Sequence, residues 1–168
     1  MYGDLINNTG SSQALALITG TFYDGQGQVI ANRESIYDYW PLVDAIPPGG
    51  RMPFELIIDG IHGATNYTLN VEAEPSSESP RQNFEFLELS QWNEADDYCV
   101  QGVIRSADDS VQDHLVIVAV LYDEQSNVVN FGDYYEPYLK SDKASNFEIC
   151  VGPPNQGVAR YELRAWGL

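Results

Sequence analysis

The sequence predicts an all-β protein built from two tandem antiparallel β-sandwich modules. Three observations carry that expectation: an internal repeat, apolar residues alternating along short segments, and turn residues that punctuate those segments at regular intervals. Alternation with period two is the pattern of a half-buried strand, because successive side chains leave a strand on opposite faces. Several such segments separated by turn signals point to a sandwich.

The repeat comes first. Residues 14–30 read ALALITGTFYDGQGQVI and residues 113–129 read DHLVIVAVLYDEQSNVV. Setting Tyr23-Asp24 on Tyr122-Asp123 gives an offset of 99, which also places Gly3 on Gly102, Leu5 on Ile104, Val29 on Val128 and Ile30 on Val129. After a small length change, Phe54-Glu55-Leu56 falls on Phe147-Glu148-Ile149, and Tyr67 and Leu69 fall on Tyr161 and Leu163. Self-similarity of this kind marks repeated structural units.

In the second unit the pattern predicts strands near 84–91, 98–106, 114–123, 127–132, 145–151 and 158–166. Tyr161, Leu163 and Ala165 alternate with Arg160, Glu162 and Arg164, as a half-buried strand requires. Leu115 to Leu121 is continuously apolar and suits a strand buried on both faces. No stretch of ten or more residues carries a helical period. Asp24-Gly25-Gln26-Gly27 reads as a tight hairpin loop, since Asp accepts bonds from the backbone ahead of it and Gly supplies positive φ. Pro47-Pro48-Gly49-Gly50 breaks the chain before a strand starting near Pro53. The segment Glu74-Pro75-Ser76-Ser77-Glu78-Ser79-Pro80-Arg81 has linker composition, so the modules are assigned to residues 1–73 and 84–168, with 74–83 between them.

One mismatch separates the units. The second has a leading strand, Phe84 to Gln91, ahead of its Gly102 strand, whereas Gly3 has no strand before it. A sandwich lacking that strand has an open edge, which proteins normally cover. Two arrangements would supply it: chain upstream of Met1, or a strand from another copy, giving a homodimer through the open edge of the first module.

Charge bounds the partners. With 8 Lys+Arg against 25 Asp+Glu the net charge is -17. Such a surface repels phosphate backbones, and no basic stripe argues otherwise, so nucleic acid is not expected as a partner. The acidity is read as solubility in an extracellular or salty setting. No apolar run approaches the ~20 residues of a membrane-spanning helix. The opening Met-Tyr-Gly-Asp carries no signal-peptide pattern, and the expectation is that a targeting segment lies outside this sequence.

Cys99 and Cys150 lie in strand-like segments and are too far apart for a CxxC pair. A disulfide across one sandwich is expected, with two buried free thiols as the alternative. A loop of about 50 residues closed in this way stabilises by roughly 4 kcal/mol on the chain-entropy estimate.

The segments Thr21-Phe22-Tyr23-Asp24 with Val29-Ile30, and Val120-Leu121-Tyr122-Asp123 with Val128-Val129, resemble the signature of the FxLYD domain family. The remaining parts of that pattern match Gly3, Pro48-Gly49 and Phe54 in the first unit and Gly102 and Phe147 in the second, where Lys143-Ala144-Ser145 stands in place of the Pro-Gly turn. The resemblance covers nearly the whole chain, twice. It implies immunoglobulin-like sandwiches in an exported or lipid-anchored protein, and it says little about activity.

No catalytic constellation can be assembled. His62 sits in the turn-like Gly60-Ile61-His62-Gly63 and His114 opens an apolar strand; neither has a Cys or His at metal spacing. GxSxG, HExxH and phosphate-cradling glycine loops are absent. Paired carboxylates cannot be singled out among 25 acids. The expectation is therefore no enzyme and no cofactor, with calcium as the one candidate ion at Asp108, Asp109 and Asp113, and Asp96-Asp97 in a second acidic loop.

The most suggestive residues are aromatic. Residues 36–42 read IYDYWPL and residues 133–139 read DYYEPYL. Setting Leu42 on Leu139 places Tyr37 on Tyr134, so both units are expected to carry rings at one location. Tyr37, Tyr39, Trp40, Tyr134, Tyr135 and Tyr138 are the candidate ligand-binding residues, with Tyr39, Trp40 and Tyr138 expected at the surface. Exposed rings beside carboxylates stack on sugars or anchor protein interfaces. The alternative is that they close the sandwich core. Asn7-Asn8-Thr9 and Asn66-Tyr67-Thr68 match the glycosylation triplet, which matters only in a eukaryotic host. The functional expectation is a non-catalytic exported or cell-surface binding or spacer module for a protein or a cell-surface glycan. Its runner-up is a carbohydrate-binding accessory protein that uses the Tyr/Trp segments.

Overall fold

A computed structural model describes residues 1–106, 114–137, 144–154 and 157–167. The chain is all-β and divides into two units, residues 1–40 with 44–78, and residues 41–43 with 79–168. Each is a sandwich of two three-stranded antiparallel sheets.

In the first unit the strands are β1 (Tyr2–Ile6), β2 (Gln13–Tyr23), β3 (Val29–Ala31), β4 (Ile36–Tyr39), β5 (Arg51–Ile58) and β6 (Asn66–Pro75). One sheet has the order β1-β5-β4 and the other β3-β2-β6. Ile18 of β2 meets Phe54 and Leu56 of β5 in the core, with Leu5, Leu15, Ile36, Trp40 and Ile58 around them. β6 runs through Pro75, which pairs with Gln13, so Glu74 and Pro75 belong to the sandwich and not to the linker the composition suggested. Proline placement obeys the ladder. Met1 and Leu56 exchange backbone bonds, so the amides of Phe54 and Met52 also face β1. The nitrogen of Pro53 then faces the β4 side, where pairing has already stopped at Glu55, and its missing donor costs no ladder bond.

The second unit comprises β7 (Phe84–Glu94), β8 (Asp97–Ser106), β9 (Leu115–Tyr122), β10 (Val128–Glu136), β11 (Ala144–Val151) and β12 (Arg160–Gly167). Its sheets are β11-β8-β7 and β10-β9-β12. Every residue of β9 is buried, as its continuous apolar run requires. Leu115, Ile117, Ala119 and Leu121 pack on Val100, Ile104, Phe147, Ile149 and Ala165 in one core cluster. Burying side chains of this size stabilises by roughly 1.5–3 kcal/mol each.

The repeat is geometric as well as sequential. Phe22 pairs with Tyr67 and Leu121 with Tyr161; Gly3 pairs with Phe54 and Gly102 with Phe147. The Tyr-Asp turn is built twice from the same bonds. Asp24 N–H donates to the carbonyl of Gln28 and Gly27 N–H to that of Asp24, while Asp123 N–H donates to Asn127 and Ser126 N–H to Asp123. The Asp24 carboxylate also accepts from the Gln28 amide at 2.9 Å, and the Asp123 carboxylate accepts from the Asn127 amide at 2.8 Å. Both turns require positive φ at the same place, supplied by Gly27 at 79° and by Ser126 at 65°.

The two units part company after this turn. In the first, β3 is short and Asn32 caps a 3-10 turn at Arg33–Ser35 by accepting from the Glu34 amide. That turn carries the chain across to the opposite sheet, where β4 pairs with β5. In the second, β10 continues along β9 as far as Glu136.

Candidate functional site

The crossing decides where the aromatic residues go. Tyr37 and Tyr39 lie on the outer face of β4, with relative exposures of 68% and 46%. Tyr37 stands opposite the exposed Ile57 and Tyr39 opposite Glu55, and Tyr2 of β1 faces Glu55 from the other side. Burial and a hydrogen bond to Glu55, with that carboxylate's charge, push the Tyr2 phenol up to about 12. The outer face of β1-β5-β4 thus presents a row Tyr2–Glu55–Tyr39 with Tyr37 and Ile57 beside it.

Trp40 is not part of that face. It is half-buried against Ile18, Phe54 and Leu56, because alternation along β4 turns every second side chain inward. Asp38, also inward, accepts the backbone N–H of Ile18 at 2.8 Å and ties β4 to β2.

The expected equivalence of Tyr37 and Tyr134 fails. Tyr134 pairs with Ile117 in the β9–β10 ladder and packs half-buried against the core, on a different sheet from that of Tyr37 in its own unit. Burial, first, and then Glu136 raise its phenol above the ordinary range. Tyr135 points the other way and is exposed, with its ring 6.0 Å from that of His114. Tyr138, Asp108, Asp109 and Asp113 lie outside the described residues. The structure therefore gathers Tyr37 and Tyr39 with two residues the sequence reading left out, Tyr2 and Ile57. The register of three strands was the missing information.

Cys99 and Cys150 are bonded. They stand directly opposite each other on β8 and β11, so the bond staples neighbouring strands of one sheet and does not cross the sandwich. Cys99 is buried and Cys150 exposed. Among the described residues, donor atoms of Glu94, Cys99 and Cys150 lie within 4.8 Å of one another, but both sulfurs are taken by the disulfide. Asp96 sits in the two-residue turn between β7 and β8, and Asp97 begins β8 opposite Glu94. His62 is exposed in the turn between β5 and β6.

The polar residues of β12 form a charged cluster over Tyr122. The Arg160 guanidinium lies 3.8 Å from the centre of the Tyr122 ring, and Arg164 donates to the Tyr122 hydroxyl at 2.6 Å and to Glu162 at 2.8 Å. These groups face the same side of β12 and cover Tyr122, so they are spent on packing the Tyr-Asp signature. A surface groove of about 480 Å³ runs between Glu88 and Glu148, with Tyr134 in its wall; among the described residues its lining holds no histidine, lysine, arginine, serine or cysteine.

Asn7 is unsuited to modification. Its amide donates to the carbonyls of Ser11 and Ile46, and its oxygen accepts from both the amide and the hydroxyl of Thr9. Asn66 is exposed at the start of β6.

No helix among the described residues is long and apolar enough to cross a membrane. Compared with known proteins, the chain matches no family model, no curated protein and no solved structure.

Proposed function

We propose that the chain is a non-catalytic binding module of an exported or cell-surface protein, made of two FxLYD-like sandwiches, and that it recognises a protein partner. The observation that carries this reading is the outer face of β4 and β5, where Tyr37, Tyr39 and Ile57 stand together in solvent. Contiguous exposed apolar surface of this kind marks interaction sites, and tyrosines are favoured anchors because they bury a large ring at small entropic cost. The face is a pleated sheet surface, which suits the broad contact of a protein better than the enclosure of a small substrate. The Cys99–Cys150 bond supports an oxidising compartment.

A glycan is the second reading. Glu55 between Tyr2 and Tyr39 puts a carboxylate beside rings, as sugar recognition needs. Trp40, the strongest stacking residue of the segment, is turned into the core and does not support it.

The test compares the wild-type chain with the Tyr37→Ala/Tyr39→Ala variant for retention on cell-envelope material. Retention that disappears in the variant and after protease treatment of the envelope is the expected result. Retention that survives protease but not periodate assigns the face to a glycan. A thermal melt with oligosaccharides and calcium completes the test, since a ligand of the folded state raises the midpoint. A rise with calcium alone directs attention to Asp108, Asp109 and Asp113.

A further inference from the structure

The outer face of the β11-β8-β7 sheet gathers a second set of chemistry-bearing side chains around the disulfide. Val100 and Ile149 enter the core, so their neighbours Cys99 and Cys150 point outward. Trp92 stands opposite Cys99 on β7, and two residues along the same face Glu94 stands opposite Asp97. The Trp92 indole N–H donates to the Glu94 carboxylate at 3.5 Å. An oxygen of that carboxylate and the two sulfurs all lie within 4.8 Å of one another. Cys150 is exposed to solvent, whereas Cys99 is buried.

Once the disulfide is open, two thiolates and a carboxylate at this spacing suit a thiophilic cation. Zinc holds sulfur at about 2.3 Å and carboxylate oxygen at about 2.1 Å in a tetrahedral array, which sets its ligand atoms about 3.6–3.8 Å apart. A disulfide keeps its sulfurs at about 2.05 Å, so they need part by less than about 2 Å. Rotation about the two Cα–Cβ bonds supplies that. The strands need not move, because the β8–β11 ladder runs from Ala144 opposite Arg105 to Val151 opposite Tyr98 on backbone bonds of its own. It holds the two Cα atoms, 4.1 Å apart, side by side with or without the sulfur bond. Glu94, Asp97 and Glu148 share this face, and their charge draws cations to it.

We propose that Cys99, Cys150 and Glu94 form a redox-gated metal site: closed as a disulfide, and binding a zinc-class divalent cation when a dithiol reductant opens it. A thiolate of the reductant attacks the accessible Cys150 sulfur, the S–S bond breaks, and its electron pair leaves on Cys99. The second thiol of the reductant then displaces Cys150 as a thiolate, so the cysteine pair is reduced and the reductant is left as a disulfide. The cation takes both thiolates, whose protons pass to solvent, and the Glu94 carboxylate; water fills the fourth position. The metal then replaces the sulfur bond as the staple between β8 and β11. The site is separate from the Tyr37–Tyr39 face and goes beyond the function proposed for it.

The probe is Co2+, which reports its ligands by colour. The full chain is reduced with dithiothreitol, freed of it without air, and titrated with Co2+ and then Zn2+. The expected result is one cobalt per chain, with a thiolate-to-cobalt charge-transfer band and the strong visible bands of a tetrahedral ion, both erased by zinc. The oxidised chain and Cys150→Ser should show no such band. Glu94→Gln should weaken binding about tenfold or more, since even groups one step removed from a metal contribute that much. Zinc should also raise the melting midpoint of the reduced chain and leave that of the oxidised chain in place. Glu94 is exposed, so its variant is expected to fold, and its far-UV spectrum checks that. Absence of the charge-transfer band overturns the proposal. So does a band whose affinity is the same in Glu94→Gln, which would reduce the site to two thiols that any unfolded chain could offer.

Discussion

The ring of Phe147 lies against the bare Cα of Gly102, directly opposite it in the β8–β11 ladder, and Phe54 repeats the contact on Gly3. A Cβ at Gly102 would stand 2.6 Å from Leu89, 3.0 Å from the carbonyl of Leu87 and 3.1 Å from Phe147. The carbonyl cannot yield as a side chain would. Gly102→Ala is therefore expected to cost about 1–3 kcal/mol, the range for overpacked cores. Urea unfolding measures it, and an unchanged midpoint would show that the ring swings away freely.

The repeated Tyr-Asp turn holds a natural comparison between Gly27 and Ser126, which occupy the same left-handed position. Serine bears a Cβ penalty there that glycine does not, roughly 1 kcal/mol for the αL region. Ser126→Gly should accordingly stabilise the second sandwich by a fraction of that amount, since glycine also loses more entropy on folding. Gly27→Ser should destabilise the first. Thermal melts of the two variants should move in opposite directions.

Asp123 adds a pH dependence. The Asn127 side chain donates to its carboxylate, and the Asn127 and Gln125 amides assist, holding its pKa below the ordinary carboxylate value against the opposing effect of desolvation. A depressed folded pKa means stability that is present above the unfolded value near 3.9 and is lost as pH falls through the folded one. The wild-type midpoint should drop in that acid window more steeply than that of Asp123→Asn. Melts at neutral pH and across the window check it; parallel curves would remove Asp123 as a contributor.

The disulfide closes a sequence separation of 51 residues between neighbouring strands. On the chain-entropy estimate its loss costs about 4 kcal/mol. Cys99→Ala/Cys150→Ala should unfold at markedly lower denaturant than the oxidised chain, and dithiothreitol should lower the wild type to a similar midpoint. A reductant-insensitive midpoint would mean that the β8–β11 ladder carries the stability unaided.

Much of this architecture was legible in the residues. The two sandwiches, the central β9 strand, and the paired glycines and phenylalanines follow from alternation and from an offset that needs no gap between Gly3 and Ile30. The Asp24 and Asp123 turns were legible for a local reason: aspartate, a left-handed residue and a two-strand return lie within five positions.

What the amino-acid sequence alone determined, then, was which segments are strands, which face of each is apolar, and where the chain turns. Those are properties of neighbouring residues. Only the tertiary structure decided which strand each one pairs with. The short 3-10 turn after Asn32 moves Tyr37 and Tyr39 to the β5 sheet, whereas β10 keeps Tyr134 on β9, although the two segments align by eye. The same holds for Cys99 and Cys150, which share a sheet because of the β8–β11 register. It holds too for Val71, which faces inward yet remains in solvent because no described strand covers it. Alternation specifies a face of a strand, but pairing partners are set by contacts between residues far apart in the chain, and no period of two encodes them.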